Sequence, residues 1–166
     1  MSDASVFVAL LNGKIISHVW RGYGSAIFIE FGALTPGPQR NGKPTQPSGE
    51  LTLMIEWSWR VERPRSILGG SWSSERRWPH MLRRLLGSRV AAVEFFGHLP
   101  EISLSLSNGL RVVSFMTAES QPSWAVIARA PSIGSLCVRR GLLHVEPPSR
   151  QEGAGPRLPC SMDSAR

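Results

Sequence analysis

Leu51-Thr52-Leu53-Met54-Ile55-Glu56-Trp57-Ser58-Trp59-Arg60-Val61-Glu62 is the stretch whose reading decides the fold. Leu51, Leu53, Ile55, Trp57, Trp59 and Val61 alternate with Thr52, Met54, Glu56, Ser58, Arg60 and Glu62. A period of two places successive side chains on opposite faces, so the stretch predicts one long strand with a buried face and a wet one. The two tryptophans bring large apolar area to the buried face, and each indole N–H there needs an acceptor.

Working outward, residues 33–49 are rich in Pro, Gly, Gln and Asn and read as an exposed loop. Downstream, Trp78, Met81, Leu82, Leu85 and Leu86 follow the i, i+3, i+4, i+7, i+8 spacing of one buried helix face. Ser73 or Ser74 is placed to cap that helix, Glu75 suits its first turn, and Gly87 suits a left-handed end. Pro79 either begins the helix or kinks it. A shorter helix, capped by Ser2 or Asp3, runs through Leu11. Asn108-Gly109 between alternating runs predicts a hairpin with both turn residues at positive φ. Residues 124–129 read as a strand, and Leu136 to Val138 and Leu142 to Val145 as a hairpin around Arg139-Arg140-Gly141.

The chain also matches itself at a constant offset of 75 residues. Leu10-Leu11 falls on Leu85-Leu86, Lys14 on Arg89, Ile15 on Val90, Trp20 on Phe95 and Gly22 on Gly97. Ile27, Ile29 and Phe31 fall on Ile102, Leu104 and Leu106. Each copy reads as a helix end, a strand, a glycine turn and a second strand. The expected fold is α+β: a strand-rich antiparallel single domain over residues 3–146, built of two related halves with one or two helices packed on the sheet. Residues 147–166 carry Pro, Gly, Ser and Arg with little to bury and are expected to form a disordered tail.

Composition narrows the setting. Apolar residues make up 42% of the 166, enough for a real core. No window approaches the roughly 18 apolar residues of a membrane span, and Val6 to Leu11 lacks the flanks of a signal peptide. Two cysteines, Cys137 and Cys160, argue against a disulfide framework and favour a cytoplasmic setting. The formal charge of +7 is uneven: eight arginines between Arg60 and Arg89 face only Glu62 and Glu75. Arg76, Arg77, His80, Arg83 and Arg84 fall opposite the apolar stripe of the predicted helix, with Trp72 close by. They form the candidate interaction surface, suited by charge to an acidic protein partner.

Catalytic chemistry is thinly provided. The only aspartates, Asp3 and Asp163, lie near the two ends, which removes a Ser-His-Asp triad or an aspartyl dyad from the domain. No phosphate-cradling glycine loop with lysine occurs, and Gly69-Gly70-Ser71-Trp72-Ser73 lacks the second flanking glycine of a nucleophile elbow. His18, His80, His98 and His144 show no metal-ligand spacing, so neither metal nor cofactor is expected. Cys137 reads as a packed thiol, and its pairing with His144 or His98 has no local motif behind it. Glu30, Glu56 and Glu94, or Glu30 and Glu56 with His18, make an acid–base set only if the strands bring them into one pocket.

Several of these residues in order resemble a loose group of small uncharacterised bacterial proteins. The likeness lies in Gly49-Glu50-Leu51 through Glu56-Trp57-Ser58-Trp59-Arg60, in Leu85-Leu86-Gly87 to Val90 and Val93, in Asn108-Gly109, and in Trp124 before a closing hairpin. The resemblance implies a bacterial origin and brings no activity or catalytic residue; members carry a more acidic helix start than this arginine-rich one. The expected function is therefore a non-catalytic binding or accessory protein, of the kind that neutralises a toxin by covering its surface. A nucleic-acid-associated protein using the arginine face is the alternative, and an enzyme of unrecognised type stands third.

Overall fold

The computed structural model describes residues 3–117, 123–130 and 133–148. In chain order these form helix α1 (Asp3–Leu11), strands β1 (Ile16–Arg21), β2 (Ile27–Phe31), β3 (Gln39–Arg40), β4 (Lys43–Pro44), β5 (Leu51–Ile55), β6 (Trp59–Arg63) and β7 (Ser66–Gly70). A 3-10 turn (Glu75–Arg77) then leads into helix α2 (Trp78–Arg83). The remaining strands are β8 (Val90–Phe96), β9 (Glu101–Leu106), β10 (Arg111–Ser114), β11 (Trp124–Ala128), β12 (Ser135–Arg139) and β13 (Leu142–Glu146).

The strands build a six-stranded sheet in the order β1-β2-β5-β11-β12-β13 and a five-stranded sheet in the order β7-β6-β10-β9-β8, with β3 and β4 a separate small hairpin. Every pairing is antiparallel. The fold is thus α+β and strand-rich, with two short helices. Helix α2 packs against β7 and β1, each an edge strand of its sheet, and α1 packs against the other two edges, β8 and β13. The cap of Ser2 and the tail beyond residue 148, including Cys160, lie outside the described residues.

The predicted strand over residues 51–62 is two strands in two different sheets. Between β5 and β6 the Ser58 amide donates to the Glu56 carbonyl at 2.7 Å, and Trp57 sits at φ 52°. An i→i+2 bond around a positive φ is a γ-turn of the strained kind. It carries the chain over the rim of the core from one sheet to the other. The apolar alternation survives on both sides, so Leu51, Leu53, Ile55, Trp59 and Val61 all enter one core. Trp57, expected among them, is 55% exposed instead.

The expected wet face of this stretch is also corrected. Thr52 and Met54 are buried, because β5 is central and its second face carries its own packing. Met54 forms a small cluster there with Ala125 and Cys137, joined by Phe28 and Ile127. Phe28 stacks on Trp20 with ring centroids 4.0 Å apart. In the main core the Trp59 indole N–H donates to the Ser25 carbonyl at 2.6 Å, and that of Trp124 donates to the Pro100 carbonyl at 2.9 Å. Burying each of these rings contributes roughly 1.5–3 kcal/mol or more, and the satisfied N–H removes the desolvation cost that would offset it.

The helix predicted from Ser73 to Leu86 is shorter. The 3-10 turn replaces its first turn, and α2 proper starts with Pro79 near its N-terminus, where the missing N–H costs no helix bond. Neither serine caps it: Ser74 makes no side-chain cap bond, and the Ser73 hydroxyl accepts from the Gly70 amide at 3.0 Å. Trp78, Met81, Leu82 and Leu85 are buried as the stripe predicts, but Leu86 lies past the end of α2 and is 43% exposed. Gly87 takes φ 77° and its amide donates to the Ile16 carbonyl at 2.9 Å. The hairpin at Asn108-Gly109 forms, yet only Gly109 has positive φ. Asn108 instead works through its side chain, accepting from the Leu110 amide at 3.1 Å and donating to the Arg84 carbonyl at 2.9 Å.

Among the described residues no helix is long and apolar enough to cross a membrane.

Candidate binding surface

The arginine-rich stretch spans β6, β7, the 3-10 turn and α2, and its two acids are both engaged by arginines. Glu62 accepts from Arg60 Nε at 2.6 Å, while the Arg60 guanidinium also lies over the Phe115 ring at 5.0 Å. Glu75 accepts from both terminal nitrogens of Arg21, at 2.8 and 2.9 Å. Such a two-pronged contact matches the planar fork of arginine to the carboxylate. It holds the Glu75 carboxyl below its ordinary range, through the hydrogen bond first and the neighbouring charge second. Arg21 comes from β1, 54 positions away in sequence, and its guanidinium stacks over Trp78 at 4.8 Å.

Seven of the eight arginines remain, and one of them, Arg89, donates to the Gly13 carbonyl at 3.2 Å. Arg63, Arg65, Arg76, Arg77, Arg83 and Arg84 are exposed, and among the described residues none of them has a carboxylate within ion-pair distance. Excess positive charge of this kind raises the local concentration of anions and steers acidic partners.

The helix divides the predicted set. Arg76, Arg77 and His80 gather on one side of α2 around a hollow of about 280 Å³, together with Leu68, Gly69, Ser73 and Met81. Arg83 lines a second hollow of about 360 Å³ on the other side, with His18, Trp20, Arg21, Trp78 and Leu82. Arg84 lines neither, and its backbone carbonyl is the acceptor for Asn108. Trp72 projects from the turn after β7 and is 79% exposed.

The carboxylates do not converge. Glu30 lies opposite His18 in the β1–β2 register, but its carboxylate is fully occupied and buried. It accepts from Trp20 Nε1 at 2.9 Å, from the Gly49 amide at 2.9 Å and from the Thr52 hydroxyl at 2.6 Å. His18 bonds Gln46 at 2.8 Å instead. Glu56 follows Thr52 by four positions, roughly 13 Å along an extended chain, and belongs to the γ-turn. Burial pushes its carboxyl above the ordinary range. Glu94 is in the other sheet and pairs with Arg111 at 3.0 Å. Glu30 and Glu56 line neither hollow.

Cys137 faces His144 in the β12–β13 register, with its side chain fully buried in the Met54–Ala125 cluster. His98 lies in the turn between β8 and β9. Among the described residues no three His, Cys, Asp or Glu side chains are grouped to hold a metal ion.

Two parts of this arrangement had no local signal in the sequence. The Arg21–Glu75 pair joins residues far apart in the chain, and only the packing of α2 against β1 brings them together. The Glu30 network joins three strands or loops in the same way. The chain matches no known protein family, no curated protein and no solved structure.

Proposed function

We propose that this chain is a non-catalytic binding protein that engages an acidic protein partner through the arginine face of the 3-10 turn and α2, in the manner of an immunity protein covering its toxin. One observation carries the reading. Both acids of the stretch are already taken by Arg60 and Arg21, which leaves Arg63, Arg65, Arg76, Arg77, Arg83 and Arg84 exposed with no carboxylate partner among the described residues. The carboxylates that would have favoured catalysis are dispersed or committed to structure, which supports a binding role over chemistry. A bacterial, cytoplasmic setting belongs to the same reading.

Nucleic acid is the second reading, favoured by one feature: Trp72 is 79% exposed and precedes the exposed Arg76 and Arg77 closely in sequence, and an aromatic near cations suits base stacking. Titrating the full chain with single-stranded oligonucleotides at low salt separates the two, because electrostatic affinity for phosphates is greatest there. Tight, salt-sensitive binding that is lost on Arg76→Glu/Arg77→Glu substitution supports the second reading; absence of binding removes it.

The proposal retains two related halves as the origin of the scaffold. Its support is that β1 and β2, displaced by the 75-residue offset, fall on β8 and β9, and that each of those pairs is joined through a glycine-containing turn.

A further inference from the structure

We propose that the hollow between β7 and α2 receives one bulky apolar side chain of the partner, carried on a segment with carboxylates on both sides of it. This rests on the reading of the arginine face as a protein-binding surface and specifies what that surface recognises.

The hollow has two chemical zones. Its inner wall is apolar: Met81 is 4% exposed, Gly69 is buried and Leu68 is half-buried. A Cβ at Gly69 would stand 2.5 Å from the Met81 sulfur, so a side chain there would have to displace Met81 from the wall. Its outer rim is polar and carries the charge of the exposed Arg76 and Arg77, with His80 beside them, and neither arginine has a carboxylate partner among the described residues. The volume of about 280 Å³ is room for one large side chain rather than for a chain segment. The neighbours in sequence of two lining residues are exposed apolar side chains, Ile67 at 64% before Leu68 and Trp72 at 79% before Ser73.

A simple anion satisfies only the rim and leaves the half-buried Leu68 facing water. A purely apolar ligand satisfies only the wall and leaves the guanidinium groups unneutralised. An apolar anchor flanked by Asp or Glu satisfies both, with the anchor excluding water from the centre and the carboxylates meeting the rim; this is the usual division between the core and the edge of a protein interface. A nucleic acid brings phosphates for the rim and flat bases suited to stacking on an exposed ring, whereas the wall of Leu68 and Met81 is aliphatic, which sets the protein segment ahead of nucleic acid here.

The test uses the full chain and three probes at low salt: a short Asp/Glu peptide with a central Phe, the same peptide with Ala in its place, and a single-stranded oligonucleotide of matched charge. The Phe peptide is expected to bind at least about tenfold tighter than the Ala peptide, since burying that ring is worth more than a tenfold change in affinity. Both peptides are expected to lose binding in the Arg76→Glu/Arg77→Glu variant. Equal affinity for the two peptides, each lost in that variant, overturns the anchor hollow while the arginine face stands. No binding of either peptide overturns both. Tighter binding of the oligonucleotide than of the Phe peptide overturns both in favour of nucleic acid.

Discussion

Ser58 donates its backbone N–H to the Glu56 carbonyl across 2.7 Å, with Trp57 held between them at φ 52°. The turn it closes carries the chain from β5 in the six-stranded sheet to β6 in the five-stranded one. It is braced from outside, since the Ser25 hydroxyl donates to the Trp57 carbonyl at 2.8 Å and the Ser25 carbonyl accepts the Trp59 indole N–H at 2.6 Å. A left-handed conformation costs a side chain with a Cβ roughly 1–2 kcal/mol and glycine almost nothing. Replacing Trp57 with Ala and with Gly removes the same ring, so their difference isolates the backbone. The Gly variant is expected to be more stable than the Ala variant by about 1 kcal/mol, against the usual order. Urea unfolding of the pair reads it, and an Ala variant of equal or greater stability contradicts the turn.

Glu30 behaves as a structural carboxylate. Its three hydrogen bonds tie β1, β2, the start of β5 and the end of the long loop together. Glu30→Ala leaves the Trp20 indole N–H, the Gly49 amide and the Thr52 hydroxyl without that acceptor. A loss of about 2–4 kcal/mol is expected, from buried donors left unmade. Chemical denaturation measures it; a loss under about 0.5 kcal/mol, the size of an ordinary surface change, would mean that the carboxylate is not holding the loop.

Glu56 should make stability depend on pH in a particular direction. Burial raises its carboxyl above the ordinary range, so the folded state holds the proton more tightly than the unfolded one. Its contribution to stability is therefore fully present below the unfolded value and is lost as pH rises through the folded value. At neutral pH the charged group is a net cost. Glu56→Gln is expected to raise the melting temperature at pH 7 and to lose that advantage below about pH 4, near the ordinary glutamate value. A melting-temperature series across this range checks it, and a Gln variant no more stable than the parent at pH 7 contradicts the assignment.

The α+β class, antiparallel pairing and most strand positions were legible because they depend on local periodicity. Leu51, Leu53 and Ile55 on one side of the γ-turn, and Trp59 and Val61 on the other, kept the alternation that the core requires. The break at Trp57 was not legible, because tryptophan at positive φ runs against local preference and is braced by residues distant in sequence, Ser25 at Trp57, Ser123 at Glu56 and Phe115 at Ser58. The same holds for the surface. The exposure of Arg76, Arg77, Arg83 and Arg84 followed from their positions opposite the apolar stripe. The separation of Arg76 and Arg77 from Arg83 into two hollows did not, since it depends on how α2 lies between β7 and β1. The engagement of Glu75 by Arg21 is a tertiary contact with no spacing to announce it.

The arginine face as the docking site for an acidic protein is the central claim, and a comparative affinity capture tests it most directly. The full chain and an Arg76→Glu/Arg77→Glu/Arg83→Glu/Arg84→Glu variant, both verified as folded, are used as bait in nuclease-treated lysate of the native host. All four positions are exposed, so the changes are expected to leave the core intact. The prediction is one acidic protein captured in a stoichiometric amount by the parent chain and lost with the variant. Recovery of the same protein by both baits, or capture only of material that nuclease removes, contradicts the claim.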